Sequence, residues 1–239
     1  MLDVFTADLR RRHDGDELMD DPGSDREQLH RTLQQFALLN RWFARYRTLL
    51  SRWVLADMLQ APQRQYHLLD LGAGACDIPR WLLQQAHRHG LQLRVTALDA
   101  DERVLRWTRE HVLPIAGLTL VQQDVRDLSA YDHADYVFAN HLLHHLHDDD
   151  LLALFDQVAA LQPRAAVLSD LQRTRTAYLG YTLFAGLFLR RSFAYFDGRQ
   201  SIRRGFTPGE LEAAIGRSAL RDRARVVTCF PGRIAVVVG

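Results

Sequence analysis

Two short stretches of this chain carry residue types that do chemistry. HLLHHLHDDD, residues 141–150, sets four histidines and three aspartates in ten positions. Imidazole titrates near neutral pH and is also a common metal ligand, so the stretch can supply a general base or part of a metal site. It can equally be a helix opening, with Asp148–Asp150 as an N-cap and first-turn acids ahead of LLALF. LLDLGAGACD, residues 68–77, places Asp70 and Asp77 on either side of Gly72-Ala73-Gly74. Small residues in such a turn let the backbone approach a ligand closely. The dinucleotide pattern G-x-G-x-x-G needs a glycine at position 77, where this chain has an aspartate. A carboxylate there disfavours a phosphate and suits a cationic ligand.

The elements that must position these residues follow from periodicity. After Pro62, short apolar runs alternate with amphipathic stretches. Strands are predicted at 66–71, 91–99, 118–124, 134–140 and 165–171, and ARVVTCF and GRIAVVV form a closing pair around Pro231-Gly232. Helices fall between them, one over IPRWLLQQAHRHG closed by Gly90 and one from Thr207 to Ser218. The alternation predicts an α/β, Rossmann-like, doubly wound and mostly parallel seven-stranded sheet. The last strand is expected to run antiparallel at or near the edge. Ahead of the sheet, Leu29, Leu33, Phe36, Leu39, Phe43 and Tyr46 make one helical stripe. Residues 1–62 therefore read as an N-terminal helical cap, with 1–25 partly mobile, and 63–239 as the main domain. A helical lid is expected as an insertion at about 172–204.

Asp99 ends the second strand, and Gln123-Asp124 follows the third. In doubly wound sheets ligands bind at strand C-terminal ends, where an acid after the second strand grips ribose hydroxyls. A ligand with a ribose, positive charge and no phosphate is S-adenosylmethionine. DLGAG at 70–74, LD at 98–99, QD at 123–124 and the 140–145 stretch resemble the motifs of the class I S-adenosylmethionine-dependent methyltransferases, over residues 66–239. One departure is Cys76, where many members carry a third glycine. The resemblance implies methyl transfer with S-adenosyl-L-homocysteine as product. It implies a cofactor site of Asp70, Gly72, Ala73, Gly74, Asp77, Asp99, Ala100, Gln123, Asp124, Val125, Asn140, His141 and His145. FANHLLHHLHDDD is also similar to the segment of phenolic O-methyltransferases that holds the catalytic histidine, which places His144 in the base position. The stretch is also similar to the broader small-molecule and quinone methyltransferase pattern, which implies that His145 mainly orders the turn. A metal shared by His141 and His145, with His144 or an aspartate, is the alternative, and no metal is expected.

The acceptor is expected under the lid, which is rich in aromatic residues. Tyr178, Tyr181, Arg175 and Arg203 are the candidate substrate residues, with Arg173 and Arg204 as further rim cations. In NRWFARYR, at 40–47, Arg45 or Arg47 would approach the cofactor carboxylate. The stretches ELMDD, NRWFARYR, SDLQRTRTAY and SIRRGFTPGEL resemble bacterial methyltransferases of polyketide-type secondary metabolism, which implies a hydrophobic phenolic or polyketide acceptor. Methylation of oxygen is favoured. C-methylation of a quinone precursor, a non-catalytic cofactor-binding module and a dehydrogenase are the other readings.

Composition narrows the partners. Thirty basic and 29 acidic side chains give a net charge of +1 over 239 residues, so nothing marks a nucleic-acid binder. Two cysteines and a charged N-terminus without an apolar core predict a cytoplasmic protein. The longest apolar run, 178–189, is too short for a membrane span. A homodimer is left open.

Overall fold

The computed structural model describes residues 7–189 and 191–239; residues 1–6 and Arg190 lie outside the described part. The chain forms β1 (Gln65–Leu71), β2 (Gln92–Asp99), β3 (Leu118–Gln122), β4 (Tyr136–Asn140), β5 (Ala165–Leu171), β6 (Ala224–Cys229) and β7 (Arg233–Val238). Its helices are α1 (Arg26–Phe43), α2 (Tyr46–Leu50), α3 (Ala56–Met58), α4 (Asp77–Arg88), α5 (Glu102–His111), α6 (Asp148–Ala160), α7 (Arg175–Phe188), α8 (Ala194–Arg204) and α9 (Pro208–Gly216). A π-helical stretch, Ser51–Leu55, joins α2 to α3.

The strands form one seven-stranded sheet in the order β3-β2-β1-β4-β5-β7-β6. All neighbours are parallel except β7, which is antiparallel to both β5 and β6. The closing strand thus lies one place in from the edge, and β6 takes the edge itself. β4 and β7 are buried along their whole length, as near-continuous apolar strands covered on both faces must be. One core fills the face under α6 and α9, built on Phe155, Leu154, Phe206 and Leu211. The other joins α2, α3 and α4 to the sheet through Leu50, Val54, Met58, Ile78 and Leu82. Residues 46–58 of the expected cap therefore complete the sheet's own core.

The strand order reverses between β1 and β4, so the C-terminal ends of these two strands open a crevice. The loops after β1, β2, β4 and β5 all converge there. Among the described residues, no helix is long and apolar enough to cross a membrane.

Residues 7–25, expected to be partly mobile, are instead laid across this end of the sheet as a strap. Arg12 fixes it at one end, donating to the Arg204 and Leu146 carbonyls and to Asp148, with its guanidinium 4.1 Å above the Phe206 ring. Arg103 fixes the other, donating to the Met19 and Asp21 carbonyls and to Ser24. Polar sequence suggested mobility; long-range arginine contacts override it.

Candidate active site

β1 runs into Gly72-Ala73-Gly74, where Gly72 and Gly74 adopt positive φ of 67° and 54°. A side chain at Gly74 would meet no atom within 4 Å, so this turn faces open space. The turn is tied to β2 by Ala73 N–H donating to Leu98 O, and by Gly74 N–H donating to Asp99 Oδ2 at 2.9 Å. The other carboxylate oxygen of Asp99 accepts from Asp101 N–H at 3.0 Å. Each oxygen keeps a further lone pair free. Asp70 is buried, and burial first, then the neighbouring charges of Asp77 and Asp99, hold its carboxyl well above the usual range. Burial also raises Asp77 and Asp99. Three acids crowded into one wall are a poor arrangement alone and a good one around a cation.

Cys76 sits at φ 56°, a backbone that glycine adopts more easily than a residue with a side chain. Its thiol is fully buried, and burial followed by the three aspartates pushes its pKa up. The thiolate is the reactive form. Alkylation of the native protein with iodoacetamide is therefore expected to modify Cys229 alone, with Cys76 labelled only after unfolding, as peptide mass mapping would show.

The histidine segment splits into unlike environments. His141, at φ 60°, accepts from Arg233 Nη1 at 2.9 Å, and burial together with that guanidinium pushes its pKa well below the ordinary value. Arg233 is buried in β7 and donates to Asn140 Oδ1 at 2.6 Å and to Ser169 Oγ at 3.0 Å. Burial lowers it to about 10, which leaves it charged at neutral pH. His144 is 1 % exposed. Asp170, at the end of β5, accepts from its backbone N–H at 2.8 Å and from Nδ1 at 2.6 Å. On the other side, Nε2 stands 3.3 Å from Glu17 Oε1 on the strap. Burial alone would lower His144; Asp170 and Glu17 reverse this and raise it to about 9.

His145 faces Asp20 of the strap at 3.3 Å. Donor atoms of Glu17, His144 and His145 lie within 4.8 Å of one another, near enough for a metal ion. The two carboxylate–imidazole pairs account for the same closeness without one. α6 begins at Asp148 with His147 as its N-cap residue, so all three aspartates sit in the first turn and none is the cap.

These groups line one cavity of about 1600 Å³, well above the roughly 300–1,000 Å³ of a single small-ligand pocket. The acids and the glycine turn form one part of its wall. His144, the strap, Phe36 and Phe43 of α1 and Tyr181 and Phe184 of α7 form another. Of the residues expected from sequence, Asp70, Gly72, Ala73, Gly74, Asp77, Asp99, Ala100, Asp124, Val125, Asn140, His141, His144, His145 and Tyr181 all reach it.

Of the remaining candidates, Arg204 also lines it and the others do not. Gln123 turns into its own loop, donating to Asp127 O and accepting from Tyr131 OH. Ala177, Gly180, Tyr181 and Phe184 present one face of α7 to the cavity. At about 100° per residue, Tyr178 is carried off that face into the protein, and Arg175 lands opposite it in solvent. Arg203 donates to Gln200 instead. Arg173 and Arg204 are buried clamps: Arg173 holds the Leu9 and Gly205 carbonyls and Glu210. Arg204 holds the His144 and His145 carbonyls. Arg47 packs on Tyr46 and Trp81, and Arg45 is exposed. Of NRWFARYR it is Asn40 that arrives, donating to Asp77 at 3.2 Å and accepting from Asn140 at 3.1 Å.

Sequence reasoning missed Glu17, Asn40, Asp170 and Arg233. Asp170 carried a usable signal, an acid at a strand's C-terminal end. Glu17 and Arg233 carried none, because only the fold brings them here.

Residues 68–163 match a family model described as a methyltransferase domain. Three solved structures are similar in fold. The human N-acetylserotonin methyltransferase in complex with its methyl donor has a TM-score of 0.66 at 14% identity, covering 99% of this chain. This chain spans only 61% of that protein's length. The plantazolicin methyltransferase BpumL with S-adenosylhomocysteine gives 0.63 at 12% identity, with 92% of this chain and 91% of that one covered. The CurJ carbon methyltransferase gives 0.63 at 16% identity, covering 90% and 60%. No curated protein matches the chain.

Proposed function

We propose that this chain, a class I S-adenosylmethionine-dependent methyltransferase by its matched domain and its fold, methylates a small hydrophobic acceptor, phenolic or polyketide-derived, on oxygen. The observation that carries the reading is His144, held from behind by Asp170, in the wall of a cavity whose other wall holds three acids and a glycine turn.

The acid wall fits the cofactor. Asp70 and Asp77 suit its ammonium group, and the free lone pairs of Asp99 suit ribose hydroxyls. The open face of Gly74 admits close approach, and Asp124 and Val125 flank the place for the base. Bound there, S-adenosylmethionine supplies a methyl group already activated on sulfur. The chain's task is then alignment of an in-line displacement and removal of one proton from the acceptor. A phenol is a weak nucleophile until it loses that proton, and a neutral imidazole is the side chain suited to take it. Asp170 holds His144 in the tautomer that leaves Nε2 to accept. Phe36, Phe43, Tyr181 and Phe184 offer an apolar and aromatic wall for the acceptor. Human N-acetylserotonin methyltransferase, whose fold this chain shares, acts on a small aromatic acceptor by its name, which agrees with the reading.

The test is isothermal titration with S-adenosylhomocysteine, followed by methyl transfer to a panel of phenols. Micromolar cofactor binding and an O-methylated product support the reading; methylation only at carbon, or no transfer, removes it. Transfer is expected to be unchanged after dialysis against EDTA. Loss on chelation, restored by zinc, would instead make His144 and His145 metal ligands.

A further inference from the structure

Glu17 lies outside the matched methyltransferase segment, on the strap, and it is 4 % exposed. Its Oε1 accepts from Ser201 Oγ at 2.7 Å and stands 3.3 Å from His144 Nε2. Nε2 is itself buried without a hydrogen-bond partner. It is also the one ring atom of His144 that Asp170 leaves free, and the only one able to take an acceptor's proton. Both residues line the cavity. A carboxylate therefore stands where the substrate hydroxyl has to be.

Resting on the O-methylation reading above, we propose that Glu17 keeps the acceptor hydroxyl's place at His144 Nε2 and is exchanged for that hydroxyl on binding, which makes Glu17 the residue that decides when His144 can act as a base. With carboxylates on both sides His144 rests as an imidazolium, and an imidazolium accepts no proton. Exchange leaves Asp170 as the only carboxylate against the ring, which then releases its proton more readily. The neighbouring charges are consistent with this. Around Glu17 stand His144 and His145 after β4, Asp197, Ser201 and Tyr181 on α8 and α7, and Asp20 on the strap. Only the two histidines among them oppose its charge.

The strap does not need to open. Gln200 and Arg204 both donate to Gly15 O on one side of Glu17, and Asp197 accepts from the Leu18 and Met19 backbone N–H groups on the other. The backbone is held on both sides, so the exchange is a rotation of the Glu17 side chain. Glu17 is a positioning residue on this account, acting through His144.

The experiment compares wild type, Glu17→Gln and Glu17→Asp. The His144 ring is titrated by NMR with and without phenol, its signal assigned from His144→Gln, and kcat/KM is measured against pH. In wild type the ring is expected to titrate near 9 and to fall when phenol is added. Glu17→Gln should lower that midpoint by roughly one unit or more without phenol, and phenol should then add little. The acid limb of kcat/KM should move to lower pH by the same amount, raising activity at pH 7 about tenfold. Glu17→Asp should stay near wild type. A midpoint that Glu17→Gln leaves in place, or transfer lost at every pH with cofactor binding intact, would overturn the exchange. If no phenol is methylated, the O-methylation reading fails by itself, while the ring titration still decides the role of Glu17.

Discussion

His144→Gln is expected to lower kcat for a phenolic acceptor by about 10²- to 10⁴-fold, the usual contribution of a positioned general base. Affinity for S-adenosylhomocysteine should be kept, because the acids and glycine turn are separate from the base. Glutamine is the informative replacement: its amide can still donate to Asp170, so a buried carboxylate is not left bare. The control is stability. Breaking a buried ion pair outright costs about 3–5 kcal/mol, so an alanine variant would confuse unfolding with lost chemistry. The sign of the pH effect also follows. The raised histidine pKa contributes stability that is complete below the ordinary histidine value and is lost as pH rises through about 9. Asp170 is held low, against its burial, mainly by the His144 charge. Its contribution is present above the ordinary carboxylate value and is lost as pH falls through its own. A kcat that His144→Gln leaves within a few-fold of wild type would mean that alignment alone suffices, and would favour carbon as the methylated atom.

Asp99→Ala should weaken S-adenosylhomocysteine binding by about 100-fold or more in a calorimetric titration. A hydrogen bond to a charged group contributes roughly 1.5–3 kcal/mol, and two ribose hydroxyls can meet this carboxylate. Each 1.4 kcal/mol is a factor of ten. The same carboxylate accepts from Gly74 N–H, so the substitution also loosens the turn that the cofactor must approach. Asp99→Asn separates the two effects: its amide oxygen can still accept from Gly74, so the loss should be smaller. Unchanged binding in Asp99→Ala would move the cofactor away from this pocket.

The legible parts of the molecule share a property. β1, β2, β4 and β5 were read from runs a few residues long, and Asp70, Asp99 and Asp124 from their places at or just beyond strand ends. In a parallel sheet those ends all meet at one edge. The helices above that edge are legible as well, but the faces they turn toward the cavity are not. Tyr178 and Tyr181 look alike in sequence, and only Tyr181 lines the cavity, because three residues of helix rotate one side chain away from the other. Arg173 and Arg204 looked like solvated rim cations and are buried clamps, since carbonyls and an acid distant in sequence meet them.

Sequence by itself determined the sheet, the glycine turn and its ring of acids, and the presence of a histidine at the mouth. Each of these is set by patterns of adjacent residues, which need no knowledge of the rest of the chain. Tertiary structure decided which histidine is which. His141 is held neutral by its burial and by Arg233, which β7 brings to it, and His144 is charged because β5 brings Asp170 and the strap brings Glu17. Burial and the charges that reach a group set its protonation, and those charges arrive from segments far away in the sequence.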